Sequence, residues 1–503
     1  MRFILISIIA LITINANSQT ITFGGNVSTN TTWSADTVKI TDNVIIDNQA
    51  TLTINEGTYI EFMGHYMIYV QGTILANGSE NKLITLTSSD TTGFSNELDI
   101  AGSWYGIKFI NTDATNDSSK LSFCNIEYVK DITYQDSIKP SGAIIIEHFS
   151  KLIINNCLIN NNKVENEFAY LGKGGAITLL ENSNPIIKNN TFSENFASAD
   201  GGAIYCDKSN PKIISNIFYN NIAGNNSVGT GGAINFSYCD GIFTNDTIIA
   251  EIINNLIYNN SAYEGGGIYC YYSSANFLNN TICNNNSDFG GALHTKKSHP
   301  MFINTILFNN TATEGNQVYI NHDASVCTPG NDPHFINCDL EGGVNAIKLF
   351  NDVNFMGTYE NNLDINPLFN DISTNNYRLQ NTSELIDNGK TDSLEIDIPM
   401  FDLAGNPRIF NDTIDIGAYE NHFVDDINII EENNFVLIYP NPTTGTITVK
   451  TENLLSISIF NTSGKMIKRT NENTIDLSNF TKGIYFVKIV TKSATKTTKL
   501  ILE

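Results

Sequence analysis

Short apolar runs separated by asparagine and glycine fill the middle of the chain, and none has the spacing of an amphipathic helix. One block consists of two glycines, a small residue and an aliphatic residue, and it recurs at 174–177, 201–204, 231–234, 265–268 and 290–293. A second block, an apolar run with one or two asparagines, follows each at 187–192, 214–218, 253–257, 278–282 and 303–307. The pattern predicts units of two or three strands of about four to six residues each.

The first block recurs at intervals of 27, 30, 34 and 25 residues, which fits one coil of a parallel β-solenoid. Asparagine tolerates the left-handed backbone of sharp corners, and stacked asparagines can hydrogen bond from coil to coil. The uneven intervals place insertions in loops at 225–230 and 238–250. We therefore predict an all-β solenoid.

The glycine block followed by a degenerate FxxN, at 192–195, 218–221 and 257–260, resembles the polymorphic outer-membrane-protein repeat. More broadly, residues 150–340 resemble the right-handed parallel β-helix of pectin-lyase-like proteins. Residues 20–150 fit less closely, with apolar runs at 52–54, 69–70, 74–75, 84–86 and 104–107. The resemblance implies a right-handed parallel β-helix over 19–350.

Side chains alternate along a strand, so the residue after each glycine-block isoleucine should point outward. Two outward columns combine aromatic and polar groups, which hold sugar rings by stacking and hydrogen bonds. The candidate ligand face is Tyr205, Asp207, Tyr269, Tyr271, His294 and Lys296. The alternative is a solvated strand face with strand-favouring tyrosines.

The amino-acid composition and the net charge exclude some classes of function. Asparagine occurs 72 times, and the net charge is −24. An acidic chain repels phosphates, so we expect no nucleic-acid partner. Residues 434–503 carry 9 basic and 4 acidic residues, a net of +5, which leaves 19 and 48, a net of −29, for 1–433. This break predicts a separate C-terminal module.

Catalysis is not indicated by the residues of the coils. Resemblance to lyases of this fold would imply aspartates that bind Ca²⁺ and an arginine or lysine that acts as the base. Resemblance to hydrolases of this fold would imply a cluster of aspartates. The arginines are only Arg2, Arg378, Arg408 and Arg469, and the paired carboxylates of glycoside hydrolysis are not evident. We therefore predict no catalytic residues. The alternative that a lysine such as Lys296 acts as a base is not excluded by the sequence.

Ca²⁺ is the one cofactor for which the sequence offers candidate ligands. Asp200, Glu264 and Asp288 lie one or two residues before the glycine pairs and could stack along one edge, where carboxylates could bind Ca²⁺. The alternative is that they are solvated turn residues.

The N-terminal segment and the cysteines bear on the cellular compartment in which the protein is found. Residues 1–18 have Arg2, an apolar run and small residues before Gln19, which is typical of a secretory signal peptide. Most of the eight cysteines fall at strand positions and are expected to be buried thiols. Cys327 and Cys338 are the candidate disulfide pair, on loop position alone.

Residues 351–422 contain 402–408 (DLAGNPR) and 415–420 (DIGAYE), which resemble the closing segment of exported β-helix proteins of the choice-of-anchor type. We expect this segment to hide the last open coil, with Arg408 paired to Asp415 or Glu420. Residues 423–433 are acidic and without periodicity, which indicates a linker.

Short alternating strands and turns over 434–503 predict a small β-sandwich. The segment resembles the type A C-terminal sorting domain of the type IX secretion system of Bacteroidetes. The motif residues are Tyr439, Pro440, Asn441, Pro442, Gly445, Gly483 and Tyr485. The resemblance implies partnership with the type IX secretion machinery, removal of the tail, and attachment to surface lipopolysaccharide.

Together these observations predict an exported cell-surface β-helix protein that adheres or binds glycans without catalysis. A polysaccharide lyase or glycoside hydrolase of the pectin-lyase fold is the main alternative, and a passive structural surface protein is the second. Fold alone does not decide among them.

Overall fold

The structure is a computed structural model that describes residues 19–133, 141–168, 171–224, 228–239, 249–321, 332–350, 354–392, 398–422, 437–451, 453–462, 464–492 and 495–503. The chain divides into two compact units, Met1–His422 and Phe423–Glu503. Within the described ranges, no helix has the length and apolar character needed to cross a bilayer.

The first unit is a parallel β-helix, in which each strand pairs in parallel with the equivalent strand of the next coil. Its first face follows the glycine blocks, with strands Ile68–Val70, Ile107–Ile110, Ile144–Glu147, Ile177–Leu180, Ile204–Asp207, Ile234–Ser237, Ile268–Tyr271, Leu293–Lys296, Val318–Asn321 and Ile347–Leu349. The second face is formed by Thr31–Trp33, Thr51–Asn55, Thr73–Asn77, Ser119–Ser122, Leu152–Asn155, Ile186–Lys188, Lys212–Ile214, Glu251–Ile253, Asn276–Leu278, Met301–Ile303, His334–Ile336 and Tyr359–Glu360.

The third face is formed by Tyr59–Phe62, Ile84–Ser88, Cys124–Glu127, Leu158–Asn160, Thr191–Ser193, Ile217–Tyr219, Leu256–Tyr258, Thr281–Cys283, Ile306–Phe308 and Asp339–Leu340. The long strands Thr20–Val27 and Thr37–Ile46 start both the first and the third face. A shorter fourth face has Lys130–Thr133, Lys163–Asn166, Phe196–Ala197, Ile222–Ala223, Ser261–Ala262, Asn286–Phe289 and Thr311–Glu314. Gly343–Ala346 and Ile372–Thr374 are 3₁₀ turns.

Most predicted strands of the early coils are confirmed: the runs at 52–54, 69–70, 74–75 and 84–86 lie within strands of the first three faces, whereas the run at 104–107 meets a strand only at Ile107. The fourth face was not predicted. Its strands are as short as two residues, for example Ser261–Ala262, and so carry no hydrophobic period.

Asparagine pairs build the corners on either side of the third face. The first residue of a pair adopts a left-handed backbone, as at Asn259 with φ 54°. The second is buried and bonds from coil to coil: the Asn260 amide donates to the Asn285 side-chain oxygen at 3.0 Å and receives bonds from Asn221. The main ladder is Asn162, Asn195, Asn221, Asn260, Asn285 and Asn310. The predicted asparagine stacking is therefore confirmed.

The glycine pairs allow one coil to approach the next. Gly231 has φ 69°, and a Cβ on Gly232 would lie 2.2 Å from the carbonyl oxygen of Gly266 in the next coil. Inside the coils, alternate residues of the first face fill the core, among them Cys206, Phe236 and Cys270. The predicted inward column is thus confirmed.

The closing segment runs along the side of the β-helix, whereas the sequence placed it over the open end. It includes the antiparallel pair Phe369–Asp371 and Asn376–Leu379. Its apolar side chains pack with outward residues of the third face, in a cluster with Leu256, Tyr258, Ile306, Tyr377 and Ile416. Polar contacts reinforce the packing: the Asn304 amide donates to the Lys390 carbonyl at 2.9 Å, and the Asn284 amide donates to the Tyr377 hydroxyl at 2.7 Å.

Buried Arg408 holds the closing segment together. Its Nε lies 3.2 Å from Glu420 Oε1, and its guanidinium donates to the backbone carbonyls of Asp415 and Gly417. Of the two expected partners, Glu420 thus provides the ion pair and Asp415 only a backbone acceptor.

The second unit consists of two antiparallel sheets. One has Leu437–Tyr439, Thr446–Lys450 and Thr474–Asp476, and the other has Met466–Thr470, Leu454–Asn461, Gly483–Thr491 and Thr495–Leu502. Residues of both sheets, including Ile447, Ile475, Ile459 and Val487, share one buried core. The predicted small β-sandwich is confirmed.

Candidate functional site

Three of the predicted ligand-face residues lie in the expected column of the first face but are buried. Tyr205 is in register with Asn235, then Tyr269, then His294. Only 5% of Tyr205, 8% of Tyr269 and 1% of His294 is exposed. The prediction that these side chains are displayed on an open face is therefore wrong.

The residues that precede the glycine pairs cover this column. Lys173 Nζ lies 3.0 Å from the Tyr205 hydroxyl, 4.4 Å from its ring centroid and 3.2 Å from Asp200. Burial disfavours the charged ammonium, but Tyr205 and Asp200 outweigh it and raise the pKa of Lys173. Burial also raises the pKa of Tyr205 to about 12. Neither group can act as a base near neutral pH.

His294 is enclosed by the rings of Tyr269 and Tyr319, with centroids 5.1 and 5.0 Å away. Burial, with a smaller contribution from Lys296, lowers the pKa of His294 to about 3. The imidazole is therefore neutral, and its 3.5 Å contact with Glu264 is not an ion pair. Tyr205, Tyr269 and His294 therefore form a packed layer that is covered by residues from the edges of the coils.

The other three predicted residues form the next outward column, which is accessible. Asp207, Tyr271 and Lys296 end their strands, occupy one register position and are partly exposed. Burial raises the pKa of Asp207. The side chains beside them belong to the corner between the first and second faces, which the sequence did not single out.

At this corner, the left-handed position holds large side chains where the other corners mostly have asparagine. The residues are His148, Glu181, Lys208, Tyr238, Tyr272 and Lys297, with φ between 47° and 55°. A left-handed backbone costs about 1–2 kcal/mol for most side chains, and least for glycine, asparagine and aspartate. The repeated choice of costly residues at one corner is typical of a functional surface.

Three tyrosine rings meet at this corner. Tyr271 lies 5.1 Å from Tyr238 and 4.7 Å from Tyr272 in edge-to-face contacts, and Tyr238 stacks on Tyr272 at 5.5 Å. Lys296 lies over Tyr271 at 5.9 Å, and Lys297 over Tyr272 at 5.1 Å. We call Tyr238, Tyr271, Tyr272, Lys296 and Lys297 the corner patch.

The corner patch combines apolar ring surface with cationic groups. One coil earlier, Lys208 pairs with Glu181 at 2.7 Å, so the charge at that level is balanced. Aromatic rings provide rigid contact area, and ammonium groups can bind a carboxylate or a hydroxyl. The alternation along strands does not reveal Tyr238, Tyr272 and Lys297, because these residues lie just after the strands. What marks them in the sequence is that each stands where other coil corners have an asparagine.

The candidate calcium ligands do not converge. Asp200 and Glu264 lie two coils apart, with Thr230 between them in the bridge ladder, which corresponds to about 9.6 Å. Asp200 is paired with Lys173, and Asp288 instead lines a cleft of about 500 Å³ with Tyr263, Asn286 and Thr313. The described parts of the chain contain no group of three acidic, histidine or cysteine side chains placed to hold a metal ion.

Of the candidate disulfide pair, Cys327 lies outside the described residues. Cys338 is a buried thiol that donates to the Ile336 carbonyl at 3.4 Å.

Asn441 and its neighbours in the sorting motif lie along the edge strand Thr495–Leu502 of the C-terminal sandwich, whereas Gly483 and Tyr485 belong to the inner strand Gly483–Thr491. Asn441 donates to the Lys499 carbonyl at 2.7 Å and accepts from the Ile501 backbone N–H at 2.9 Å, as a neighbouring strand would. Buried Tyr485 donates to the Thr481 carbonyl at 2.5 Å. Tyr439, Pro440 and Pro442 are exposed on this edge. Gly445 accepts from Leu477, and Gly483 has φ 149°, in the left-handed half of the map that favours glycine.

Comparison with known families agrees with both units. Residues 437–503 match the secretion system C-terminal sorting domain. Residues 191–207, which run from a third-face strand to a first-face strand, match the Chlamydia polymorphic membrane protein repeat. No curated protein matches the chain.

Fold and matches together define the class: a parallel β-helix protein with a C-terminal sorting domain. The sorting domain indicates secretion to the cell surface and interaction with the type IX secretion machinery.

Proposed function

We propose that this surface protein binds glycans through the corner patch and acts as a non-catalytic adhesin. The observation that carries the proposal is the group of three contacting tyrosine rings beside two lysines, at the coil corner where asparagine is replaced. Tyrosine gives large contact area at low entropic cost and is enriched among residues that dominate binding.

The lysines favour sugars that carry carboxylates. Lys296 and Lys297 flank the rings on one coil, and the rest of residues 1–433 is strongly acidic. A local cationic site in an acidic molecule attracts anionic groups to these side chains. Uronic-acid polymers are therefore the first ligands to test.

The test is a glycan array with the full chain, followed by affinity measurement on positive ligands. In the Tyr238→Asn/Tyr272→Asn double variant, the rings are lost while asparagine suits the left-handed backbone, so the fold should persist. We expect at least a tenfold loss of affinity. The control Tyr59→Thr, which removes a partly exposed tyrosine in an early coil, should bind as the wild type does.

Three outcomes contradict the proposal. Full affinity in the double variant would move the site elsewhere. If the wild type bound no glycan, the protein would be a passive surface component. Unsaturated or reducing-end products from uronic-acid polymers would show a lyase or hydrolase. The neutral His294 and the raised pKa values of Lys173 and Tyr205 support the non-catalytic function.

We further propose that residues 1–18 act as a signal peptide, that the tail is removed after export, and that the β-helix is attached to surface lipopolysaccharide. Mass analysis of the surface form checks all three steps. The expected form begins at Gln19, lacks 437–503 and carries a saccharide adduct. An intact chain at the surface would contradict the processing.

A further inference from the structure

A serine ladder runs along the corner between the first and second faces. The backbone N–H of Ser183 donates to the Ser209 hydroxyl at 3.0 Å, and that of Ser273 donates to the Ser298 hydroxyl at 3.0 Å. Cys239 occupies the ladder position between Ser209 and Ser273, and its own N–H donates to the Ser273 hydroxyl at 3.0 Å. In this coil a thiol thus replaces the ladder hydroxyl.

The Cys239 sulfur turns toward the previous coil and meets a second thiol. Its Sγ lies 3.5 Å from Cys206 Sγ, and it contacts the Cys206 carbonyl oxygen at 3.4 Å. Both residues are buried, with 1% and 0% exposure. The sequence predicted buried thiols at the strand positions but gave no indication that Cys206 and Cys239 are neighbours.

We propose that Cys206 and Cys239 form a disulfide that ties two consecutive coils together beneath Tyr238. A disulfide bond is about 2.05 Å long, so the sulfurs need to approach by about 1.5 Å from 3.5 Å. Rotation of the cysteine side chains can supply part of this movement. The sorting domain directs the chain out of the reducing cytosol, into compartments where disulfides form and persist.

The bond forms by thiol–disulfide exchange with an exported protein disulfide as the oxidant. One cysteine thiolate attacks that disulfide, the second displaces the mixed disulfide, and the oxidant leaves as a dithiol with two electrons and two protons. In the closed coils both thiols are shielded, and burial raises the pKa of Cys206. The reaction therefore precedes the stacking of the two coils, and the finished bond resists reduction.

The experiment uses the protein as purified from the cell surface, denatured with an alkylating agent and no reductant, then digested and analysed by mass spectrometry. We expect a cross-linked peptide pair joining Cys206 to Cys239, which separates on reduction. Cys283, a buried thiol on the third face, serves as the internal control and should be alkylated. Alkylation of both Cys206 and Cys239, or a bond from either to a different cysteine, would overturn the proposal.

The matched variant is Cys239→Ser, which restores the residue that the ladder has in neighbouring coils. It should fold and be exported, and Cys206 should then be alkylated without reduction. After unfolding and refolding in the presence of reductant, the wild type should melt several degrees lower than its oxidised form, and the melting temperature of the variant should not change. An equal response of both chains to reductant would contradict an inter-coil bond at this site.

Discussion

Two adjacent asparagines perform different tasks at the coil corners. Asn259 is exposed and supplies the left-handed turn, whereas Asn260 is buried and bonds to three successive coils. The sequence predicted both roles from the composition alone, because few residues combine a left-handed backbone with a bonding amide. It could not say which residue of each pair took which role.

The first prediction separates these roles. Asn260→Ala removes bonds to Phe218, Tyr258 and Asn285, and it removes the acceptor of the buried Asn221 backbone N–H and side-chain amide. Unsatisfied buried groups cost about 1–3 kcal/mol each, so we expect a loss of at least about 3 kcal/mol. Asn259→Ala next to it should cost only about 1 kcal/mol for the turn. Urea unfolding midpoints measure both, and equal costs would refute the division of roles.

The second prediction concerns Asp339 in the last coils. Burial raises the pKa of Asp339 to about 7, and its Oδ2 has no hydrogen-bond partner among the described residues. An unfolded aspartate titrates near 3.9, so between about pH 4 and pH 7 the folded chain holds a proton that the unfolded chain releases. Stability from this group is complete below pH 4 and is lost as pH rises through 7.

Asp339→Asn stays neutral and keeps the acceptor for the Ile365 N–H. We expect the variant to be more stable than the wild type by about 4 kcal/mol at pH 8 and equal to it near pH 4. Thermal unfolding over this range measures the difference. Asp412→Asn, at an exposed carboxylate, is the control. A constant difference between Asp339→Asn and the wild type at all pH values would contradict the shifted pKa.

At the scale of the strand, the repeat indicated which segments pair but not what covers them. The alternation placed Tyr205 and His294 on the outer side correctly. Their burial depends on Lys173 and Glu264, which come from coil edges where the sequence has no period. The accessible corner patch was half predicted, through Tyr271 and Lys296, because these two belong to strands.

The third prediction tests the close approach of coils at the glycine pairs. A Cβ on Gly232 would meet the Gly266 carbonyl at 2.2 Å and Ser261 backbone atoms at 2.7 Å, and backbone cannot move aside cheaply. We expect Gly232→Ala to lower stability by about 3 kcal/mol or more. At Gly405 a Cβ would meet nothing within 4 Å, so Gly405→Ala should cost only about 1 kcal/mol for its positive φ. Similar unfolding midpoints would refute the contact.

For the whole molecule, the change in charge near residue 434 correctly indicated a second unit, since residues 437–503 match the sorting domain. The position of the closing segment could not be predicted. It depends on contacts such as Asn304 with Lys390, 86 residues apart, that no local pattern encodes.

The fourth prediction concerns export. Deleting residues 434–503 should leave the β-helix in the periplasm, because the sorting domain is the part that the secretion machinery recognises. Protease accessibility on intact cells measures surface display. Appending 434–503 to an unrelated periplasmic protein should bring that protein to the surface. Continued display of the shortened chain would refute the role of the tail.

The asparagine ladder makes the same contact whatever the length of the coil. Its successive members are 33, 26, 39, 25 and 25 residues apart, yet each amide bonds to the next. Unequal recombination that adds or removes one complete coil in frame would therefore join equivalent residues. A gene of this kind can change the length of its product in whole coils, while each loop diversifies separately.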